Sequence, residues 1–227
     1  MDLSFYHNLL DELKPAMVQL LAVSKTRTAE EIQKLYDLGQ RDFGENYVQE
    51  LVDKQAALPP DIRWHFIGHL QSNKVKYMAP FVYMIQGVDS QKLLLEIDKQ
   101  AEKNRRVILC LLQVHIAREE TKFGFNESEL MELVETIPRY RKENKFTQVH
   151  IAGLMGMASL TDNRIQVRNE FIYLKSLFDR IKTALPEDPV QTLSMGMSSD
   201  YPVAIEEGST MIRIGTALFG VRNYIKE

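Results

Sequence analysis

Residues 18–24, Val18-Gln19-Leu20-Leu21-Ala22-Val23-Ser24, are followed by Lys25-Thr26-Arg27 and then by TAEEIQKLYDLG over 28–39. The first seven residues form an apolar run bounded by turn residues, which reads as a strand covered on both faces. Thr28 and Glu31 stand at capping-box spacing and Gly39 suits a helix stop, so the spacing predicts a helix over 28–39. Together they make one βα unit, and the unit recurs. Further strand-like segments lie at 41–45, 64–68, 82–88, 107–116, 148–155, 191–195 and 211–215, which brings the strands to eight. Helical patterns fall between them. Val167, Phe171, Leu174, Phe178 and Ile181 recur across 164–183; Ser90 opens a helix over 90–103 that buries Leu94, Ile97 and Ala101; and 199–207 ends before Gly208. Eight alternations predict an α/β fold, a single (β/α)8 TIM-type barrel with an extra helix in the first fourteen residues. An open doubly wound sheet is the alternative, and no Gly-x-Gly-x-x-Gly follows the first strand to support it. No linker or low-complexity stretch divides the chain, so 1–227 reads as one domain.

Composition narrows the function classes. The chain is 44% hydrophobic and 26% charged with a net charge of −3, an ordinary globular balance without a basic stripe for nucleic acid. The RKENK run at 141–145 reads as a solvated loop. The one cysteine, Cys110, lies inside VILCLL, which points to a buried structural thiol and a reducing compartment. The opening MDLSFYHNLLDELKP lacks the basic region and apolar core of a secretory leader, and no run has the length of a membrane span. The expectation is a cytoplasmic protein with no membrane partner.

Lys25 closes the first strand, and barrel chemistry sits at the C-terminal ends of strands. Apolar walls around a lysine stem disfavour the ammonium, which an amine nucleophile requires, since an unperturbed pKa of about 10.4 leaves almost no neutral amine at pH 7. Taken alone, a lysine here reads more simply as an exposed strand-end residue. The far end of the chain adds weight. Leu193-Ser194-Met195-Gly196-Met197-Ser198-Ser199-Asp200 passes from strand seven into a helix through small residues, and Arg213-Ile214-Gly215-Thr216-Ala217 does the same after strand eight. Free amides, hydroxyls and a helix dipole suit a phosphate there, and barrels commonly bind phosphate after these two strands. Ordinary loops with Ser caps are the bland alternative. Asp200 would repel a phosphate, so it is expected to point away or to cap. Strand eight neighbours strand one in a closed barrel, so a phosphorylated aldehyde bridging Lys25 and these loops is a coherent ligand. Arg213 can only donate hydrogen bonds and stays charged, which suits a ring nitrogen that must remain unprotonated or, alternatively, a salt bridge at the barrel mouth.

The stretches AVSKTRTAEEIQKLYDLGQRDFGENYVQEL, WHFIGHLQSNK, ETKFG, GLMGMA and LSMGMSSDYPVAIEEGSTMIRIGTALFG resemble the pyridoxal phosphate homeostasis protein family, over about residues 20–221. That family is similar to the barrel domain of alanine racemases without their β-rich second domain. The resemblance implies pyridoxal 5′-phosphate as cofactor, held as a Schiff base on Lys25. It also implies a phosphate cradle of Ser194, Gly196, Ser198, Gly215 and Thr216, Arg213 at the pyridine nitrogen, and Asn46 in the pocket wall. Departures from the family pattern fall at Gln86-Gly87, at His115 and at Tyr201-Pro202. The implied role is intracellular homeostasis of the cofactor, without established turnover, by a monomer whose expected partners are apo-enzymes that use the cofactor.

Other candidates carry less. His65 and His69 flank a strand end, so their spacing does not place two rings on one helical face for a metal. His115 and His150 read as satisfied interior groups, and Gln71, Asn73 and Lys74 as a polar helix start near the mouth. Glu45 calls for a partner, Arg41 or a base near the pocket. The methionines read as adaptable core filling. Two other function classes stay open: an amino-acid racemase or decarboxylase using the same cofactor, for which racemisation demands a base on each face of the substrate carbon, and a cofactor-free Schiff-base aldolase.

Overall fold

The computed structural model describes residues 2–119 and 123–220. A leading helix α1 (Leu3–Ala16) is capped by Asp2, whose carboxylate accepts from the Phe5 amide at 2.9 Å. The strands are β1 (Gln19–Val23), β2 (Asp42–Glu45), β3 (Arg63–Phe66), β4 (Met84–Val88), β5 (Ile108–Val114), β6 (Val149–Gly156), β7 (Thr192–Ser194) and β8 (Met211–Ile214). Each runs parallel to the next, and β8 pairs back to β1 through Gln19↔Met211 to Ala22↔Ile214, so the sheet is a closed eight-stranded barrel. The surrounding helices are α2 (Ala29–Asp37), α3 (Val48–Ala57), α4 (Val75–Met78), α5 (Gln91–Lys103), α6 (Glu127–Lys142), α7 (Arg164–Ala184), α8 (Tyr201–Glu206) and α9 (Thr216–Phe219). The expected (β/α)8 barrel with its extra N-terminal helix is therefore the observed fold. The capping box at Thr28 and Glu31 forms as the spacing predicts, and Asn126 with Glu129 makes a second one.

Strand parity sorts the core into two parts. Leu20, Ala22, Ile212 and Ile214 face outward into one large apolar layer under the helices, which also takes Val167, Phe171, Leu174, Phe178 and Ile181 from α7. The bore is filled differently. Met84, Leu111, Ala152 and Met155 form a small apolar cluster there, and polar side chains take much of the remaining bore. Inward positions two apart on each strand stack toward the C-terminal mouth: Leu21, Val23 and Lys25; Asp42, Gly44 and Asn46; His65 and Ile67; Met155 and Met157; Arg213 and Gly215.

Two local expectations need correcting. The 141–145 run is not wholly loop: Arg141 and Lys142 end α6, and Arg141 clamps the buried Asp188 through two bonds of 2.6 and 2.7 Å. Asp188 also accepts from the Ile151 amide at 2.8 Å, so the clamp ties α6 to β6. His150 is not an interior group. Its side chain is 42% exposed beside that carboxylate, because its place near the start of β6 leaves one side uncovered. Within the ETKFG stretch, residues 120–122 lie outside the described residues.

Candidate functional site

The chain makes a strained turn where β1 ends. Thr26 has φ 64°, a left-handed conformation that a β-branched residue adopts at a cost of about 1–3 kcal/mol. Its amide donates to Glu50 Oε1 at 2.5 Å, and the Arg27 amide closes back on the Ser24 carbonyl at 3.0 Å. Lys54, buried on α3, donates to that same Ser24 carbonyl at 2.7 Å, to Glu45 Oε1 at 2.7 Å and to Glu50 Oε1 at 2.6 Å. The Ser24 hydroxyl also donates to Glu45 Oε1, at 2.6 Å. The backbone on either side of Lys25 is thus gripped from outside the barrel. Glu45 has Lys54 and Ser24 as its partners, not Arg41, which bonds Asp61 instead. Burial pushes the Glu45 carboxyl up to about 6, against the opposing pull of Lys54 and Ser24. Nothing in the local sequence ties Lys54 to the turn carrying Lys25; its bond to the Ser24 carbonyl exists only because α3 packs over β2 and β3.

Inside the mouth lies a cavity of about 290 Å³. It brings together Lys25, Asn46, Ser198, Arg213, Gly215 and Thr216 from the residues the sequence singled out, with Ser199 added. Met155, Met157 and Met197, with Val23 and Ile67, make the apolar wall. Among the described lining residues, Lys25 and Arg213 are the ionisable ones. A larger cavity of about 740 Å³ adjoins it between the loops after β6 and β7 and shares Met157, Met197 and Ser199. The smaller one is the candidate site, because it alone joins the strand-end lysine to the buried arginine.

Arg213 is buried and donates from Nη1 to Ser194 Oγ at 2.8 Å and from Nη2 to the Gly156 carbonyl at 2.9 Å. Burial lowers its pKa to about 10, with Asp200 opposing, so it remains a cation at neutral pH. Asp200 turns its carboxylate back to accept from the Met197 amide at 2.6 Å, which braces the loop 197–200. The amides of Ser198, Ser199 and Thr216 have no hydrogen-bond partner among the described residues. They and their hydroxyls form a donor set suited to an anion. Asn46 Oδ1 is buried without a partner.

Two of the singled-out residues stand elsewhere. Ser194 does not line the cavity: it is fully buried in the bore, donating to Gln86 Oε1 at 2.7 Å while accepting from Arg213. Gly196 is required by packing. At φ 94°, a Cβ there would sit 2.6 Å from the Ala204 Cβ and 3.0 Å from the Tyr201 Cα. The residues missed in the sequence are Lys54 and Glu50 behind Lys25, and Gln86 and His65 behind Ser194. His69 lies at the exposed rim, stacked on Phe123 and 3.1 Å from Asp89.

The donor set fits pyridoxal 5′-phosphate by its chemistry. Amide and hydroxyl donors face where an anion would sit, a donor-only arginine matches a ring nitrogen acceptor, an amine stands at the strand end, and thioethers line the walls.

Comparison with known proteins bears on the same site. The family model for the alanine racemase N-terminal domain matches residues 4–223. Proteins named pyridoxal phosphate homeostasis protein are similar along most of their length. The one from Pasteurella multocida is 40% identical over 92% of this chain and 88% of its own, and the human one is 40% identical over 95% and 81%. The structure of PipY from Synechococcus elongatus with PLP bound superposes with a TM-score of 0.84 at 37% identity, covering 96% of this chain and 99% of that one. Alanine racemase from Bartonella henselae, at 16% identity and a TM-score of 0.70, shares the fold over 98% of this chain and 60% of its own. The chain therefore belongs to the alanine racemase N-terminal domain family and, within it, to the pyridoxal phosphate homeostasis proteins.

Proposed function

We propose that this chain binds pyridoxal 5′-phosphate as a Schiff base on Lys25 and holds it in reserve for cofactor homeostasis, without catalytic turnover of its own. The observation that carries this is the single cavity joining Lys25, Arg213 and the donor loops at 197–200 and 215–216. In this reading Ser198, Ser199, Gly215 and Thr216 hold the phosphate, and Asn46 uses its unpartnered oxygen toward the ligand. Ser194 and Gly196 act from behind, the first by steadying Arg213 and the second by letting the loop pack on α8.

When bound, the pyridine ring supplies an electron sink for carbanion chemistry. Arg213 works against that use. A guanidinium cannot accept a proton from the ring nitrogen and cannot give one up at neutral pH, so it keeps that nitrogen unprotonated. Racemisation also needs a proton acceptor on each face of the substrate carbon, and among the described lining residues the one ionisable side chain besides Lys25 is the donor-only Arg213. Both features favour holding over turnover. We further propose a single-domain monomer, working in the reducing cytoplasm where its one buried thiol stays free, with apo-enzymes that use the cofactor as recipients. Among the described residues no helix is long and apolar enough to cross a membrane.

The test is the visible absorption spectrum of purified protein reconstituted with cofactor. A band that shifts on borohydride reduction is expected, and Lys25→Ala should lose it while keeping weak, phosphate-anchored binding. No such band in the wild type would leave the cofactor-free aldolase reading in its place. Turnover of alanine at ordinary enzyme rates would favour the racemase.

A further inference from the structure

Behind Arg213 a chain of buried side chains crosses the barrel bore. Arg213 Nη1 meets Ser194 Oγ at 2.8 Å, Ser194 Oγ meets Gln86 Oε1 at 2.7 Å, Gln86 Nε2 meets His65 Nδ1 at 3.0 Å, and His65 Nε2 meets Asp42 Oδ1 at 3.0 Å. The chain runs over β8, β7, β4, β3 and β2, and all five side chains are buried. It ends at the floor of the barrel, where Arg63 Nε also donates to Asp42 at 2.8 Å. We infer that Gln86 and His65 are positioning residues for Arg213, acting through a relay whose hydrogen bonds can run in one direction only. The inference rests on the cofactor reading of the cavity.

The direction follows from the two ends. A guanidinium has no acceptor, so Ser194 must accept from Arg213 and spend its own proton on Gln86 Oε1. That turns the Gln86 amide nitrogen toward His65, whose Nδ1 must then be a bare acceptor. The imidazole proton is left on Nε2 and points at Asp42, which as a carboxylate only accepts. Burial of Asp42 opposes its charge, but the bonds from His65 and Arg63 together outweigh it and hold the carboxyl well below the usual range. Gln86 Nε2 also donates to Met211 Sδ at 3.2 Å, so both amide protons are used.

Reversing the amide breaks several links at once. Its nitrogen would then donate to Ser194, stranding the serine proton, and its oxygen would face the Met211 sulfur. His65 would need a proton on Nδ1, and without a second one its Nε2 lone pair would face Asp42. Each link thus enforces the next. With Nη2 on the Gly156 carbonyl, the relay fixes the plane of the guanidinium. The hydrogen bonds of Arg213 among the described residues go to the Ser194 hydroxyl and the Gly156 carbonyl, not to a carboxylate. The guanidinium is therefore oriented by neutral groups, while Asp200 supports its charge through space.

The test uses Gln86→Leu, which removes both amide functions at similar volume, and Gln86→Glu, which keeps the acceptor for Ser194 but sets a carboxylate against His65 Nδ1. In ¹⁵N-histidine spectra of the apo-protein, His65 should carry its proton on Nε2 in the wild type and gain one on Nδ1 in Gln86→Glu. In the loaded protein, both variants should keep the bond to Lys25, move the position of the visible band, and weaken cofactor binding by about tenfold, the worth of one buried hydrogen bond. The inference is overturned if wild-type His65 is protonated on Nδ1. It is equally overturned if both variants keep the wild-type band and affinity and lose only melting temperature. A wild type that takes up no cofactor defeats the reading of the site, and the apo-protein spectra then decide the relay alone.

Discussion

Replacing Lys54 by methionine tests whether the grip behind Lys25 is electrostatic. Methionine keeps the length and the apolar stem, so little cavity opens. What is lost is a buried ammonium with three partners, at 2.7, 2.7 and 2.6 Å. Glu45 is then a fully buried carboxylate with only the Ser24 hydroxyl. Removing one member of a buried pair costs about 3–5 kcal/mol while the survivor stays charged. Protonation relieves that cost. Glu45 titrates near 6 in the folded protein against 4.5 for an unperturbed glutamate. The folded state thus holds this proton more tightly than the unfolded chain, so this group's contribution to stability falls as pH rises from 4.5 through 6. A shift of that size is worth about 2 kcal/mol at about 1.36 kcal/mol per unit. In Lys54→Met the folded value rises further and the window widens upward. Urea unfolding should show a loss of about 3–5 kcal/mol at pH 8. At pH 5 it should shrink to about 1–3 kcal/mol, the worth of the hydrogen bonds to Ser24 and Glu50 alone. Equal losses at the two pH values would show that Lys54 acts by packing and would sink the electrostatic account.

Gly153→Ala should be the most damaging single methyl in the barrel. At φ 148° its Cβ would fall 1.8 Å from the Thr192 carbonyl, so β6 and β7 must part; we expect a loss of more than about 3 kcal/mol in the same unfolding assay, or no soluble protein. Cys110 is fully buried and its thiol is held well above the ordinary range, by burial first and by Asp98 and Asp188 second. Its labelling by a thiol reagent should therefore follow global unfolding, slowing in proportion to stability as urea is withdrawn.

The barrel was legible because parallel strands buried on both faces leave continuous apolar runs, and because the helix caps at Thr28 and Ser90 are local signals. Parity made much of the site legible as well: Lys25 lies two residues beyond Val23 on an inward-facing row, as Gly215 does beyond Arg213. The same parity explains the misplaced serine. β7 is only three residues long, and Ser194 is its inward-facing last residue, so the hydroxyl enters the bore below the loop that carries Ser198. Quoted as one motif, SMGMS conceals that its two serines lie on different levels. The grip by Lys54 could not be read at all, since it joins residues nine and thirty positions apart through the packing of α3. Gln86, marked only as a departure from the family pattern, gained its meaning from Ser194 and His65, which lie on other strands.

The two ends of the site are held by separate means, and the separation has a consequence. Lys25 is fixed from outside the barrel by Glu45, Lys54 and Glu50, a charged cluster that titrates near 6 at its buried carboxylate. Arg213 is fixed from inside by a relay that ends on Asp42, whose carboxyl stays ionised far below that pH. Mild acid therefore reaches the lysine end through Glu45. Protonating Glu45 weakens the bond that seats Lys54 under the Ser24 carbonyl and loosens the turn carrying Lys25.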